Sequence, residues 1–152
     1  MSIAPWESAL RPLRRVALDT NAVIYSLNAE EPYVPLLAQT IRRIESGDLR
    51  CIISSVVELE ILVRPIREGD HRALESVEHF FHAMPGLAIR PVDRLVARRA
   101  AEVRASTGLP VPDAIIVGTA LEERCDAIIG NDRHLAAHTV GVPYLLLRDF
   151  VL

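Results

Sequence analysis

Four acidic positions far apart in the chain could together make one reaction centre. Asp19 follows directly on the apolar run Val16-Ala17-Leu18, and Asp132 stands just past Ala127-Ile128-Ile129 in Gly130-Asn131-Asp132-Arg133. Asp113 immediately precedes the apolar stretch that opens at Ala114. The fourth acid is Glu58 or Glu60, both set inside the hydrophobic sequence Val56 to Val63, where a carboxylate needs a reason. Carboxylates gathered in one place repel and raise each other's pKa unless a cation lies between them. Hard divalent cations take oxygen ligands, and Mg²⁺ uses few carboxylates and keeps water. A site of acids without His or Cys ligands therefore points to Mg²⁺ or Mn²⁺ and to displacement at a phosphate ester.

Each acid also has a plainer explanation. Asp19 and Asp113 are good N-caps for the helices that follow them, and Asp132 suits a turn. Thr20 and Asn21 could orient Asp19 and its water, or could only cap the next helix. Glu58 and Glu60 lie about 200° apart on a helix, so they cannot share a face, and periodicity does not choose between them. His134 is a candidate general base, although a lone His in a turn is more often a surface residue. Cys51 and Cys125 are too few and too far apart for a disulfide framework or zinc site, and are expected to be buried thiols.

The elements that must position these groups can be read from patterning. Val16–Leu18, Cys51–Ile53, Leu87–Ile89, Ala127–Ile129 and Tyr144–Leu147 are short apolar strands. Between them lie helices expected over 21–27, 34–46, from Ser54 or Ser55 through Val63, from Asp70 onward, over 92–106 and over 114–123. Pro65 is expected to end or kink the third of these, and Gly47 and Gly108 to close others. Asp70 caps a helix with its apolar face at Leu74, Val77, Phe80, Phe81 and Met84. Strands alternating with helices imply parallel pairing through crossovers. The strands are continuous apolar runs, as expected where both sheet faces are covered. The fold class is α/β, a three-layer α/β/α sandwich with a central parallel five-stranded sheet. In such a sheet ligands bind beyond the carboxyl ends of the strands, where Asp19 and Asp132 fall.

Composition narrows the chemistry. The 152 residues fit one domain, preceded by an N-terminal extension over 1–14. Its net charge is −3, and removing the charge of four metal-bound acids takes −3 to +1, which is compatible with a polyanionic substrate. All 17 basic residues are arginine. With no lysine, a P-loop NTPase, a receiver domain and a haloacid-dehalogenase-like phosphatase are excluded in their usual forms. The last would also need a second Asp where Asn21 stands. No apolar run is long enough to span a membrane, and the first fifteen residues lack the apolar core of a signal peptide. A cytoplasmic location is expected.

Four segments carry a family resemblance. Val16-Ala-Leu-Asp-Thr-Asn-Ala-Val-Ile24, Ile53 to Leu62, Pro112-Asp-Ala-Ile-Ile-Val-Gly-Thr-Ala-Leu121 and Ala127 to Leu135 resemble, in order, the motifs of the PIN domain. The chain is most similar to the small toxins of VapBC-type toxin–antitoxin pairs. The family's spacing, Ser followed six positions later by Glu, selects Glu60 over Glu58. The resemblance implies a Rossmann-like fold and a Mg²⁺ or Mn²⁺ site at Asp19, Glu60, Asp113 and Asp132. It further implies endonucleolytic cleavage of RNA, homodimers, and inhibition by a small antitoxin inserted into the site. One departure is Gly130, where the family often has Ser or Thr; a hydroxyl that could support the metal or its water is missing, and the Asn131 amide could contribute instead. Arg64, Arg67 and Arg133 are candidates for contacts to RNA phosphates. A non-catalytic PIN-like module that binds RNA or protein, and a solitary RNA-processing nuclease, are the alternatives.

Overall fold

The apolar runs read as strands are where the chain pairs. The computed structural model describes residues 1–151, with strands β1 (Arg15–Leu18), β2 (Arg50–Ser54), β3 (Leu87–Arg90), β4 (Ala127–Gly130) and β5 (Tyr144–Leu146). They form one parallel sheet in the order β3-β2-β1-β4-β5. The helices are α1 (Ala4–Leu10), α2 (Thr20–Asn28), α3 (Val34–Glu45), α4 (Ser55–Glu68), α5 (His71–His82), α6 (Arg94–Thr107), α7 (Val111–Glu122) and α8 (Arg133–His138). A 3₁₀ turn, Leu147–Phe150, follows β5. The architecture is the expected three-layer sandwich.

Burial follows the sheet order. β1 and β4 are buried almost throughout, as is β2 past Arg50, whereas the edge strands β3 and β5 are only partly covered. Leu18, Ile53, Ile128 and Ile129 are among the largest side chains fully removed from water. Continuous apolar sequence in the central strands is thus the mark of a sheet packed on both faces. Helices α6 and α7 lie so close that a Cβ on Gly118 would come within 2.8 Å of the Ala100 backbone nitrogen. Cys51 is buried, Cys125 is half-buried, and both are free thiols whose pKa burial pushes up. Among the described residues, no helix is long and apolar enough to cross a membrane.

Several local expectations are corrected. Pro65 does not end α4, which continues through Glu68 to Gly69 in the left-handed region at φ 62°. A proline inside a helix forfeits one N–H bond and crowds the carbonyl four residues back, yet α4 carries Pro65 with three further residues before its cap. Helix α7 begins at Val111, with Pro110 as its N-cap, so Asp113 lies inside the first turn and is not the cap. Proline is tolerated there because the first N–H groups have no helical partner. Helix α6 starts at Arg94, because the Asp93 carboxylate accepts from the Val96 N–H at 3.0 Å.

Residues 1–14, to which no element was assigned from sequence, contain α1. Its Trp6 is fully buried and donates from Nε1 to the Leu36 carbonyl oxygen (2.8 Å) and Thr40 Oγ1 (3.1 Å). The Trp6 ring also meets Phe150 edge-on, with centroids 4.9 Å apart. Through Trp6 and Leu10 this segment contributes to the core.

Candidate active site

The chain runs from β1 to β2 to β3 on one side of the sheet, then crosses to β4 and β5 on the other. The reversal falls between β1 and β4, where connecting loops diverge and open sheets of this kind form their crevice. Asp19 stands at that point. Its backbone N–H donates to the Ile129 carbonyl at 2.9 Å, which extends the β1–β4 pairing to the first residue past the strand.

Asp19 is 5% exposed, and its carboxylate is held at both oxygens. Oδ1 accepts from the Thr20 N–H at 2.8 Å, and Oδ2 accepts from the Tyr144 hydroxyl at 2.7 Å. Burial, opposed by these two donors and reinforced by the charges of Asp113 and Asp132, raises its pKa to about 6. Asp113, on the first turn of α7, is raised by burial and by the charges of Asp132 and Glu60, while His134 lowers it. Three aspartates and a glutamate brought from four parts of the chain therefore share one electrostatic neighbourhood.

Glu60 reaches the centre through Thr20, whose hydroxyl donates to Glu60 Oε1 at 2.8 Å. Glu58 lies instead beside Leu59, Val63 and Ile66 in a separate apolar groove. Helical geometry sends the two acids to different faces, and the Asp19 loop meets the face that carries Glu60. Asp132 caps α8, accepting from the Leu135 N–H at 3.0 Å, and its own N–H donates to the Tyr144 hydroxyl at 3.1 Å. Capping and membership of the acidic centre thus coexist in Asp132, as they do in Asp19 at the head of α2.

The supporting residues are engaged as well. Asn21 Oδ1 accepts from the Asn131 N–H at 2.9 Å, tying the start of α2 to the loop after β4. The Asn131 side chain, buried, donates to the Tyr25 hydroxyl (3.4 Å) and accepts from Arg148 N (3.0 Å) and Nε (3.2 Å). Its amide thus braces Arg148 rather than turning to the acids. Sequence reasoning missed Tyr144, Tyr25 and Arg148. The only signal for Tyr144 was Gly130, a residue without a side chain at a crowded rim.

The arginines divide. Arg64 pairs with Glu68 at 3.0 Å and lines the groove that contains Glu60, between α2, α4 and α5. Arg67 lines the apolar groove with Glu58. Arg133 is exposed at the head of α8, next to Asp132. His134 is exposed too, its ring 4.4 Å from that of His138.

Among the described residues, no three Asp, Glu, His or Cys side chains are gathered closely enough to hold a metal ion as they stand. The donor set nonetheless fits a hard cation. Its members are all carboxylates, one is buried against its charge, and their mutual repulsion is the strain a cation relieves. A cation that keeps several waters does not need a closed cage of three side chains.

The family model of the PIN domain matches residues 16–140. No curated protein matches the chain in sequence. Among solved structures, the chain is similar to VapBC2 of Rickettsia felis bound to a DNA fragment from its promoter, with TM-score 0.71, 14% identity, and coverage of 87% of this chain and 98% of that one. DNA-bound VapBC of Salmonella typhimurium gives TM-score 0.72 at 19% identity, covering 88% and 98%. FitAcB of Neisseria gonorrhoeae gives 0.66 at 17%, again covering 88% and 98%.

Proposed function

Because the chain belongs to the PIN domain family, we propose that it is a metal-dependent endoribonuclease, hydrolysing RNA phosphodiester bonds as the cytoplasmic toxin of a type II toxin–antitoxin pair. The observation that carries this reading is the buried Asp19 carboxylate at the sheet's reversal point, within the fields of Asp113 and Asp132 and linked through Thr20 to Glu60. A buried aspartate held against its charge is costly to stability, and such groups cluster at functional sites.

Asp19, Asp113, Glu60 and Asp132 are the residues that would hold Mg²⁺ or Mn²⁺. A divalent cation there supplies Lewis-acid stabilisation of phosphoryl charge and makes water a better nucleophile at neutral pH. The protein's own work is placement. Thr20 and Tyr144 fix the Asp19 carboxylate, Thr20 orients Glu60, and the Asn21–Asn131 bond holds the β4 loop against α2. Arg133 is exposed at the head of α8 and Arg64 lines the groove that contains Glu60, where they can meet phosphates of an extended strand. Base stacking is not expected to contribute much, since the tyrosines near the site are engaged within the protein: Tyr144 bonds Asp19 and Asp132, and Tyr25 bonds Asn131 and stacks on Tyr33 with centroids 4.8 Å apart.

The VapBC and FitAcB relatives support a small antitoxin as partner. So does the outer face of α4, where Leu59, Val63 and Ile66 are exposed and form an apolar strip suited to a protein contact. A homodimer is proposed on the family resemblance.

The deciding experiment incubates the purified protein with a mixture of structured and single-stranded RNAs in Mg²⁺, in Mn²⁺ and in EDTA. Metal-dependent fragments that disappear on chelation support the nuclease. RNA that is bound but left intact at every metal concentration would instead make the chain a non-catalytic binding module. A short reading frame directly upstream, whose product co-purifies with this chain and blocks cleavage, would establish the toxin role.

A further inference from the structure

Gly130 and Tyr144 occupy one volume between them. An ideal Cβ built on Gly130 would lie 2.1 Å from the Tyr144 hydroxyl oxygen, 2.9 Å from its Cζ and 2.7 Å from Asp19 Cβ. No residue larger than glycine fits while the phenol stays where it is. Gly130 is not in the left-handed region, so its backbone conformation does not require glycine. Crowding does.

The phenol arrives from the sheet edge. Tyr144 opens β5, pairs in register with Ile128, and extends its ring along β4 past Gly130. There its hydroxyl makes two bonds. It donates to Asp19 Oδ2 at 2.7 Å and accepts the Asp132 backbone N–H at 3.1 Å. One oxygen atom thus joins two of the four acidic residues, which follow strands β1 and β4, and it does so in the space a side chain at 130 would fill.

We infer that Tyr144 is a positioning residue of the acidic centre, and that the glycine at 130 exists to admit its hydroxyl. This inference rests on the nuclease reading above. Each Asp19 oxygen carries one donor from the protein and retains a further lone pair. With Thr20 on one oxygen and Tyr144 on the other, the carboxylate plane is fixed before any cation binds. A ligand oriented by a hydrogen bond behind it binds its metal more tightly than one that must be ordered at the moment of binding. The same hydroxyl holds the Asp132 backbone and so sets the distance between the β4 loop and Asp19.

Two substitutions break this arrangement by different routes. Tyr144→Phe keeps the ring and removes only the hydroxyl. Gly130→Ala removes no polar group but displaces the hydroxyl from Asp19. Both are expected to weaken Mn²⁺ binding, read by electron paramagnetic resonance, and to lower kcat by about 10- to 100-fold, while KM for RNA changes little. The double variant should be no worse than the poorer single one, since both remove the same bond. Wild-type Mn²⁺ affinity and kcat in Tyr144→Phe, with or without a lower melting temperature, would overturn the inference. So would an impaired Gly130→Ala beside a normal Tyr144→Phe, which would assign the defect to crowding at Asp19 Cβ. A wild-type protein that neither binds Mn²⁺ nor cleaves RNA would defeat the nuclease reading itself, and the role of Tyr144 with it.

Discussion

Two aspartates sit at opposite ends of the paired strands β1 and β4, and the molecule treats them oppositely. Asp126 precedes β4 at the amino ends of the strands, exposed to water, with one oxygen accepting the N–H groups of Arg14 (2.8 Å) and Arg15 (2.9 Å). Those bonds, with the charges of the same arginines, hold its pKa below the usual carboxylate range. Asp19, beyond the carboxyl end of β1, is buried among other acids and raised to about 6. The first aspartate closes a backbone gap and stabilises the charge it carries. The second is stripped of water and set beside like charges, which no gain in folding explains. An aspartate whose surroundings favour ionisation completes hydrogen bonding at one strand end, and one whose surroundings oppose it stands at the end where the proposed function places chemistry.

Replacing each aspartate should separate the two roles. The largest effect is expected from Asp19→Asn, which should lower RNA cleavage on the order of 10³-fold, measured as initial rate in Mg²⁺. Its stability should move the other way. A raised folded-state pKa means stability that is present below pH 3.8 and lost as pH rises toward 6. In EDTA at pH 7 the Asn variant should therefore gain up to about 3 kcal/mol over wild type. Mn²⁺ should raise the melting temperature of wild type and leave that of Asp19→Asn nearly unmoved. A wild type whose stability is flat between pH 4 and 7 in EDTA would break the contrast.

Next in size, Glu60→Gln should cost about 10- to 100-fold in kcat, whereas Glu58→Gln should stay close to wild type, because only Glu60 is joined to the Asp19 loop through Thr20. The reverse ranking would move the site to the other face of α4. Asp126→Ala should leave cleavage intact and lower the melting temperature by roughly 6 °C, the scale of two hydrogen bonds lost from a domain of this size. The sign of its pH dependence is opposite to that of Asp19: its contribution is present at neutral pH and lost as pH falls through its lowered pKa. The smallest effects belong to Arg133→Ala and Arg64→Ala, each expected to raise KM for RNA a few-fold at low salt and less at high salt. Salt-independent losses would place these arginines in structural roles.

Much of the fold was legible because it depends on local pattern. Val16–Leu18 and Ala127–Ile129 announce themselves as buried strands, and Asp70 and Gly108 as helix boundaries, from residue type and spacing. Where a local rule failed, packing or position outweighed it, as at Pro65 one turn from the end of α4 and at Asp113 behind the Pro110 cap. Helix α1 went unread because its burial hangs on Trp6 bonding to Leu36 and Thr40, contacts that span 30 and 34 residues. The choice between Glu58 and Glu60 was open to periodicity; the family spacing selected Glu60, and the Thr20 hydroxyl donates to that residue.

By itself, the order of apolar runs and acids determined that this protein would be a parallel α/β sheet with carboxylates at its strand ends, since strand and helix periods and N-cap chemistry act over a few residues. Only the tertiary structure decided which oxygens face one another, that Arg148 braces Asn131, and that a tyrosine from the edge strand fills the space above Gly130. Those outcomes depend on excluded volume and hydrogen-bond distance between residues more than ten positions apart. A sequence records such residues, but not their separation in space.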